Sequence, residues 1–158
     1  MLRGLTTVTY LADDMAAAKK WYAELLGVGP YFERAFSGGR VVGPDDPGYD
    51  EANTGYLEFR VGDYQHELGI LHRRFSPHGS ASDPAGVIAY WHVDDIEAAY
   101  GRMLALGATG HEPPTPRGPG FVTAVVVDPF GNLLGIMYNA HYLQVLAAAG
   151  PDPADAAG

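Results

Sequence analysis

The chain repeats itself. A stretch led by Asp14-Met15 runs to Leu26-Gly27, and a second led by Asp95-Ile96 runs to Leu106-Gly107, one residue shorter. The segments around both read in the same order: strand, helix, strand, strand, strand. A unit of about 80 residues exceeds the roughly 20–50 of a solenoid repeat, so the pattern is that of a duplicated half-domain. Each half carries one helix, enough to cover one face of its sheet. The other face has to meet the partner half or a ligand.

Local patterning supports each unit. Thr6 to Leu11 is rich in β-branched residues and reads as a strand. Asp13 and Asp14 can cap the helix predicted over 14–26, whose apolar positions Met15, Ala18, Trp21, Tyr22, Leu25 and Leu26 recur at helical spacing, and Gly27 stops it. A strand is expected over Tyr31 to Phe36. A loop follows over 37–53, rich in Gly, Pro and acids, and two strands fit Thr54 to Val61 and Gln65 to Leu71. In the second half, Val87 to Val93 reads as a strand, and Asp94 with Glu97 resembles a capping box. Ile96, Ala99, Tyr100, Met103 and Leu104 form a helical face closed by Gly107. A short extended piece is broken by Pro113, Pro114 and Pro116. Strands over Phe121 to Val127 and Leu133 to Tyr138 flank the turn Asp128-Pro129-Phe130-Gly131-Asn132. The organisation expected is a first module over 1–72, a linker over 73–84, a second module over 85–140 and a C-terminal extension over 141–158, disordered at its end.

Composition narrows the chemistry. The 158 residues are 47% hydrophobic and 18% charged, which excludes a disordered chain. There is no cysteine, so disulfides, thiolate zinc sites and a cysteine nucleophile are excluded. The net charge of −9, with Lys19 and Lys20 the only lysines, disfavours nucleic acid as a partner. No apolar run reaches the 18 or so residues of a membrane span, and Met1-Leu2-Arg3-Gly4 opens no long apolar leader, so a cytoplasmic protein with no membrane partner is expected.

The motifs resemble the vicinal oxygen chelate superfamily, which includes glyoxalase I, bleomycin-resistance proteins and extradiol dioxygenases. The residues concerned are Asp14-Met15-Ala16-Ala17-Ala18-Lys19-Lys20-Trp21-Tyr22 through Leu26-Gly27, then Val93-Asp94-Asp95-Ile96, then Asp128-Pro129-Phe130-Gly131-Asn132. They cover roughly residues 5 to 140. The resemblance implies two βαβββ modules forming a curved eight-stranded mixed sheet around a central cavity, often in a homodimer.

It also implies where a metal would be held: the first and last strand of each module, usually by His, Gln or Glu. Here those positions fall on Thr7, Ile88 and Gly135. The remaining one falls on Glu67, or on Gly69 if Leu68-Gly69-Ile70 is aligned with Leu134-Gly135-Ile136. At most one usual ligand is present, and isoleucine and glycine side chains cannot coordinate. No bound metal and no other cofactor are therefore expected, a divalent metal being the alternative.

Side chains alternate along a strand. If these positions face inward, so do Thr9, Leu11, Leu71, Tyr90, His92, Leu133 and Met137. The opposite set, Val8, Tyr10, Leu68, Ile70, Trp91, Val93, Leu134, Ile136 and Tyr138, is apolar and belongs under the helices. The inward set suits a small-molecule pocket, with Gly69 and Gly135 opening space. Glu67 and His92 are its only groups able to exchange protons near neutral pH; they form either a general acid–base pair or a structural ion pair. The parity of the strands after the first helix and before the final turn stays open. The other histidines are expected on the surface or in loops.

The expected function is metal-independent binding of a small, partly aromatic organic molecule, akin to antibiotic sequestration. Its ligand-binding residues would be Thr7, Thr9, Leu11, Glu67, Gly69, Ile88, Tyr90, His92, Gly135 and Met137. The alternative is a lyase, isomerase or dioxygenase-like enzyme using Glu67 and His92, with or without a metal. A module that binds no ligand would instead plug the hollow with bulky side chains.

Overall fold

Asp14 and Asp95 begin the two helices of the repeat in the same way. Each has an extended backbone, and its carboxylate accepts the N–H three residues on, from Ala17 at 2.9 Å and from Ala98 at 3.0 Å. The capping box expected between Asp94 and Glu97 is replaced by a plain cap at Asp95, whose third helical residue, Ala98, has no side chain able to reciprocate. Asp94 is left exposed beside His92, and the two copies keep strict correspondence at Asp95.

The computed structural model describes residues 6–76 and 88–149. Of the linker expected at 73–84, residues 77–84 lie outside the described residues, as does the disorder expected at 150–158. The described elements are β1 (Thr7–Ala12), α1 (Met15–Leu26), β2 (Phe32–Ser37), β3 (Arg40–Val42), β4 (Thr54–Val61), β5 (His66–His72), β6 (Ala89–His92), α2 (Ile96–Ala105), β7 (Thr109–Gly118), β8 (Phe121–Val127), β9 (Leu133–Asn139) and α3 (Ala140–Ala149), with short 3-10 turns at Glu51–Asn53 and Arg73–Phe75.

The architecture is α+β, two βαβββ-like modules. The strands lie in two mixed sheets, ordered β1-β5-β4-β2-β3 and β6-β9-β8-β7, where one sheet of eight was expected. In each, the first strand runs parallel to the last, β1 to β5 and β6 to β9, and the other pairs are antiparallel. β3 is the ninth strand among the described residues, and it lies within the span expected to be loop. Gly38 and Gly39, at φ of 53° and 76°, supply the two positive-φ positions of a tight hairpin between Ser37 and Arg40. β7 is ten residues long despite its prolines, because it is an edge strand whose register slips three times against β8. Ala140 and the first nine residues of the expected C-terminal extension form α3.

The strand faces divide as the alternation predicts. Tyr10, Leu68, Ile70, Leu134 and Ile136 are buried in one core shared by both modules, with Val8, Trp91, Val93 and Tyr138 packed at its edge. Side chains tie the modules together there. The Trp21 indole N–H donates to the Leu106 carbonyl at 2.9 Å, and the Arg102 guanidinium donates to the Glu24 carbonyl at 2.7 Å.

Candidate functional site

On the uncovered face of the first sheet, β1, β5 and β4 set Thr7, Glu67 and Arg60 side by side. The Thr7 hydroxyl donates to Glu67 at 2.6 Å, and Arg60 pairs with the same carboxylate at 2.9 Å. The Thr7 bond, helped by Arg60, holds Glu67 below the usual carboxylate range. Glu58, opposite Gly69, accepts the hydroxyls of Tyr31 and Tyr56. Burial, reinforced by the charge of Glu67, pushes Glu58 upward. Sequence reasoning missed Glu58 and Arg60 and left the facing of Tyr31 and Tyr56 open, because the face each strand presents depends on a register that only the folded sheet supplies.

The same register resolves the two placements of the fourth position. Gly69 lies opposite Thr9 and Glu58, and Gly135 lies opposite Tyr90 and Val125. Gly69 and Gly135 are thus equivalents, and Glu67 corresponds to Leu133. Neither glycine opens space. A Cβ on Gly135 would come within 2.7 Å of the Tyr90 ring and 2.9 Å of Ile88, and one on Gly69 would collide with the Tyr56 ring. The missing side chains let two aromatic rings lie against the sheet.

These positions do not fit a divalent ion. Ile88, Gly135 and Gly69 offer no side-chain donor, and the Thr7 hydroxyl is committed to Glu67. Among the described residues there is no group of three His, Asp or Glu side chains placed to hold a metal.

Tyr90, His92 and Met137 do come together. They wall a cavity of about 270 Å³ between the modules, completed by Val8 and the β4–β5 turn on one side and by Asn139 and Tyr142 on the other. The Tyr142 ring, carried on α3, stacks on the His92 ring at 4.5 Å and 17°. Its hydroxyl donates to Asp63 in the β4–β5 turn at 2.9 Å. Burial and that carboxylate push the hydroxyl up to about 12, so it stays a donor across the physiological range. Both ring nitrogens of His92 are buried and lack a hydrogen-bond partner among the described residues; its nearest charge is Asp94 at 3.5 Å.

A second cavity, of about 210 Å³, lies between the helices and their sheets and also meets His92. Thr7, Thr9, Leu11, Glu67, Gly69, Ile88 and Gly135 line neither cavity. Thr9 is exposed, and the backbone of Leu11 is occupied by the Asn132 side chain, at 2.9 Å to its N–H and 2.8 Å to its carbonyl. Of the other histidines, His66 lines the first cavity and His72 accepts the Arg74 N–H at the turn after β5. Tyr142, Asp63 and Asn139 were not anticipated. They belong to the C-terminal helix, a turn and a strand end, where neither the repeat nor the alternation pointed to them.

Two βαβββ-like modules with fused cores define the class of this fold. The family model of the Glyoxalase/Bleomycin resistance protein/Dioxygenase superfamily matches residues 4–136, and the chain belongs to that superfamily. Solved structures agree on the fold. A glyoxalase-related enzyme from Fulvimarina pelagi is 16% identical with a TM-score of 0.62, covering 87% of this chain and 89% of its own. A superfamily member from Sphaerobacter thermophilus is 20% identical with a TM-score of 0.56, covering 86% and 97%. A family enzyme from Burkholderia phytofirmans is 17% identical with a TM-score of 0.56, covering 85% and 98%. No curated protein matches the chain.

Proposed function

We propose that the chain is a metal-independent binder of a small, partly aromatic organic molecule, working as a cytoplasmic homodimer in the manner of a drug-sequestering protein. The observation that carries this reading is the cavity between the modules, whose wall is the stacked pair His92 and Tyr142 with Tyr90 and Met137 beside it. Flat aromatic walls suit a planar ligand, and the polar side chains among them, Asp63, His66, His92 and Asn139, offer donors and acceptors to orient it. The donor-poor family positions support binding without an ion. The homodimer is supported by large apolar side chains left in solvent, among them Tyr90, Phe121 and Val145. Among the described residues no helix is long and apolar enough to cross a membrane, which supports a protein free of the bilayer.

The test is a thermal-shift panel of planar and cationic glycopeptide drugs, run in the presence of a chelator. A ligand at a hundred times its Kd stabilises the native state by about 2.7 kcal/mol, a readily measured rise in Tm. The expected result is a concentration-dependent rise with at least one member, reduced in Tyr142→Ala. A rise seen only when a divalent metal is added would overturn the reading.

One observation favours a second reading, a lyase- or isomerase-like enzyme. Glu58 is pushed up while its neighbour Glu67 is pulled down, and two carboxylates driven apart in this way are suited to separate acid and base roles. That chemistry would pair Glu67 with Glu58 rather than with His92, which walls cavities that Glu67 does not line.

A further inference from the structure

We propose that the two cavities form one bipartite site, and that its ligand is a hydroxylated aromatic ring carrying a short alkyl chain. The inference rests on the reading above and names the ligand class for the same site. The first cavity is the aromatic chamber already described. The second is walled by Leu25, Leu26, Leu68, Met103, Leu134 and Ile136, an aliphatic surround in which Arg102 lies at the margin, tied to the α1 carbonyl of Glu24. Val61, Trp91 and His92 wall both chambers.

His92 is the movable part of that partition. No hydrogen bond among the described residues has to break for its ring to turn aside, only its stacking on Tyr142 and the 3.5 Å approach of its Nε2 to the exposed Asp94. A buried imidazole with neither nitrogen paired is also unfavourable as it stands, and a ligand hydroxyl, which both donates and accepts, would relieve it. The head of the ligand is therefore a ring that stacks on Tyr142 and carries a hydroxyl for His92. The tail is aliphatic, because the second chamber gives a polar tail almost nothing to bond. Its length is set by volume. A cavity of about 150 Å³ accommodates benzene, so about 210 Å³ holds a chain of roughly six carbons.

The probe is the series of 4-n-alkylphenols from phenol to octylphenol, measured by titration calorimetry against the full chain. Each buried methylene should tighten binding about fourfold until the second chamber is full, after which affinity levels off or falls. Met103→Trp, which fills that chamber, should flatten the series. Ala99→Leu, a smaller change in the same wall, makes the same test should the tryptophan variant fail to fold. Tyr142→Ala should weaken every member while leaving the dependence on length in place. Phenol binding with no dependence on chain length overturns the bipartite site and leaves the proposed binding function standing. Failure of every member to bind overturns the ligand class, and the drug panel then decides the function separately.

Discussion

At Asp128 a single carboxylate joins the two halves of the repeat. One of its oxygens accepts the N–H groups of Phe130 and Asn132, at 2.9 and 2.8 Å, which sets the turn between β8 and β9. The other accepts the Asn132 side-chain amide and, from the opposite module, the Tyr22 hydroxyl. Asn132 in turn pairs with the backbone of Leu11, and Arg73 ties Asp13 to the Phe130 carbonyl. The turn that marks the family in the sequence is thus a clasp between modules in the structure. Burial, with the charge of Asp128, raises the Tyr22 hydroxyl well above its ordinary value, so it remains a donor to that carboxylate. Tyr22→Phe removes one donor from a buried charge and should destabilise the fold by about 1.5–3 kcal/mol. Tyr10 provides the contrast. It is buried on the same face, but its hydroxyl lacks a hydrogen-bond partner among the described residues. Tyr10→Phe should therefore cost far less than Tyr22→Phe, because it removes a buried hydroxyl whose approach to the Trp91 indole falls short of a full hydrogen bond. Urea denaturation of the two variants decides the point; equal losses would show that the Asp128 bond has no special weight.

At the level of elements, what the sequence could show depended on which force shaped each one. α1, α2, β4 and β8 are held by side-chain periodicity against one core, so their patterns were readable, β4 and β8 to the residue. β3 is created by two glycines whose composition signals only a loop, and β7 survives its prolines because one of its edges makes no ladder. α3 stands outside the repeat, so no comparison between halves could find it. The candidate site divides in the same way. Alternation along two strands named Tyr90, His92 and Met137, but Val8, Ala89 and Trp91 of the opposite parity line the same cavity, and Tyr142 and Asp63 come from elements joined to them only by tertiary packing. The two helix starts allow a direct check on the correspondence of the repeats. Asp95→Ala removes a side-chain cap and should lose about 1 kcal/mol, whereas Asp94→Ala, an exposed side chain, should stay within about 0.5 kcal/mol. A larger loss at Asp94 would restore the capping box expected there.

At the level of the whole molecule, the two modules behave as one cooperative body or as two, and the core decides which. Each module alone would expose the apolar face that the other covers, since Tyr10, Leu68 and Ile70 of the first share a cluster with Met103, Leu134 and Ile136 of the second. A half of about 80 residues with that face in water would have little margin, because small domains bury a smaller fraction of their surface. The expected behaviour is a single transition. The chain carries its own reporters, Trp21 on α1 of the first module and Trp91 on β6 of the second. In Trp91→Phe the fluorescence comes from Trp21 and in Trp21→Phe from Trp91, and each ring sits where the modules meet, Trp21 bonded to the Leu106 carbonyl and Trp91 lining the cavity between them. Within each variant the fluorescence midpoint in urea should coincide with the midpoint by far-ultraviolet circular dichroism, as a two-state transition requires. The absolute midpoints will differ, since Trp21→Phe also deletes the bond to the Leu106 carbonyl and Trp91→Phe enlarges the cavities it lines. If either fluorescence transition runs ahead of the circular dichroism, the modules part before they unfold and the shared core does not couple them. The cavity between them would then open whenever one half did, and a ligand seated there would bring the two transitions back together.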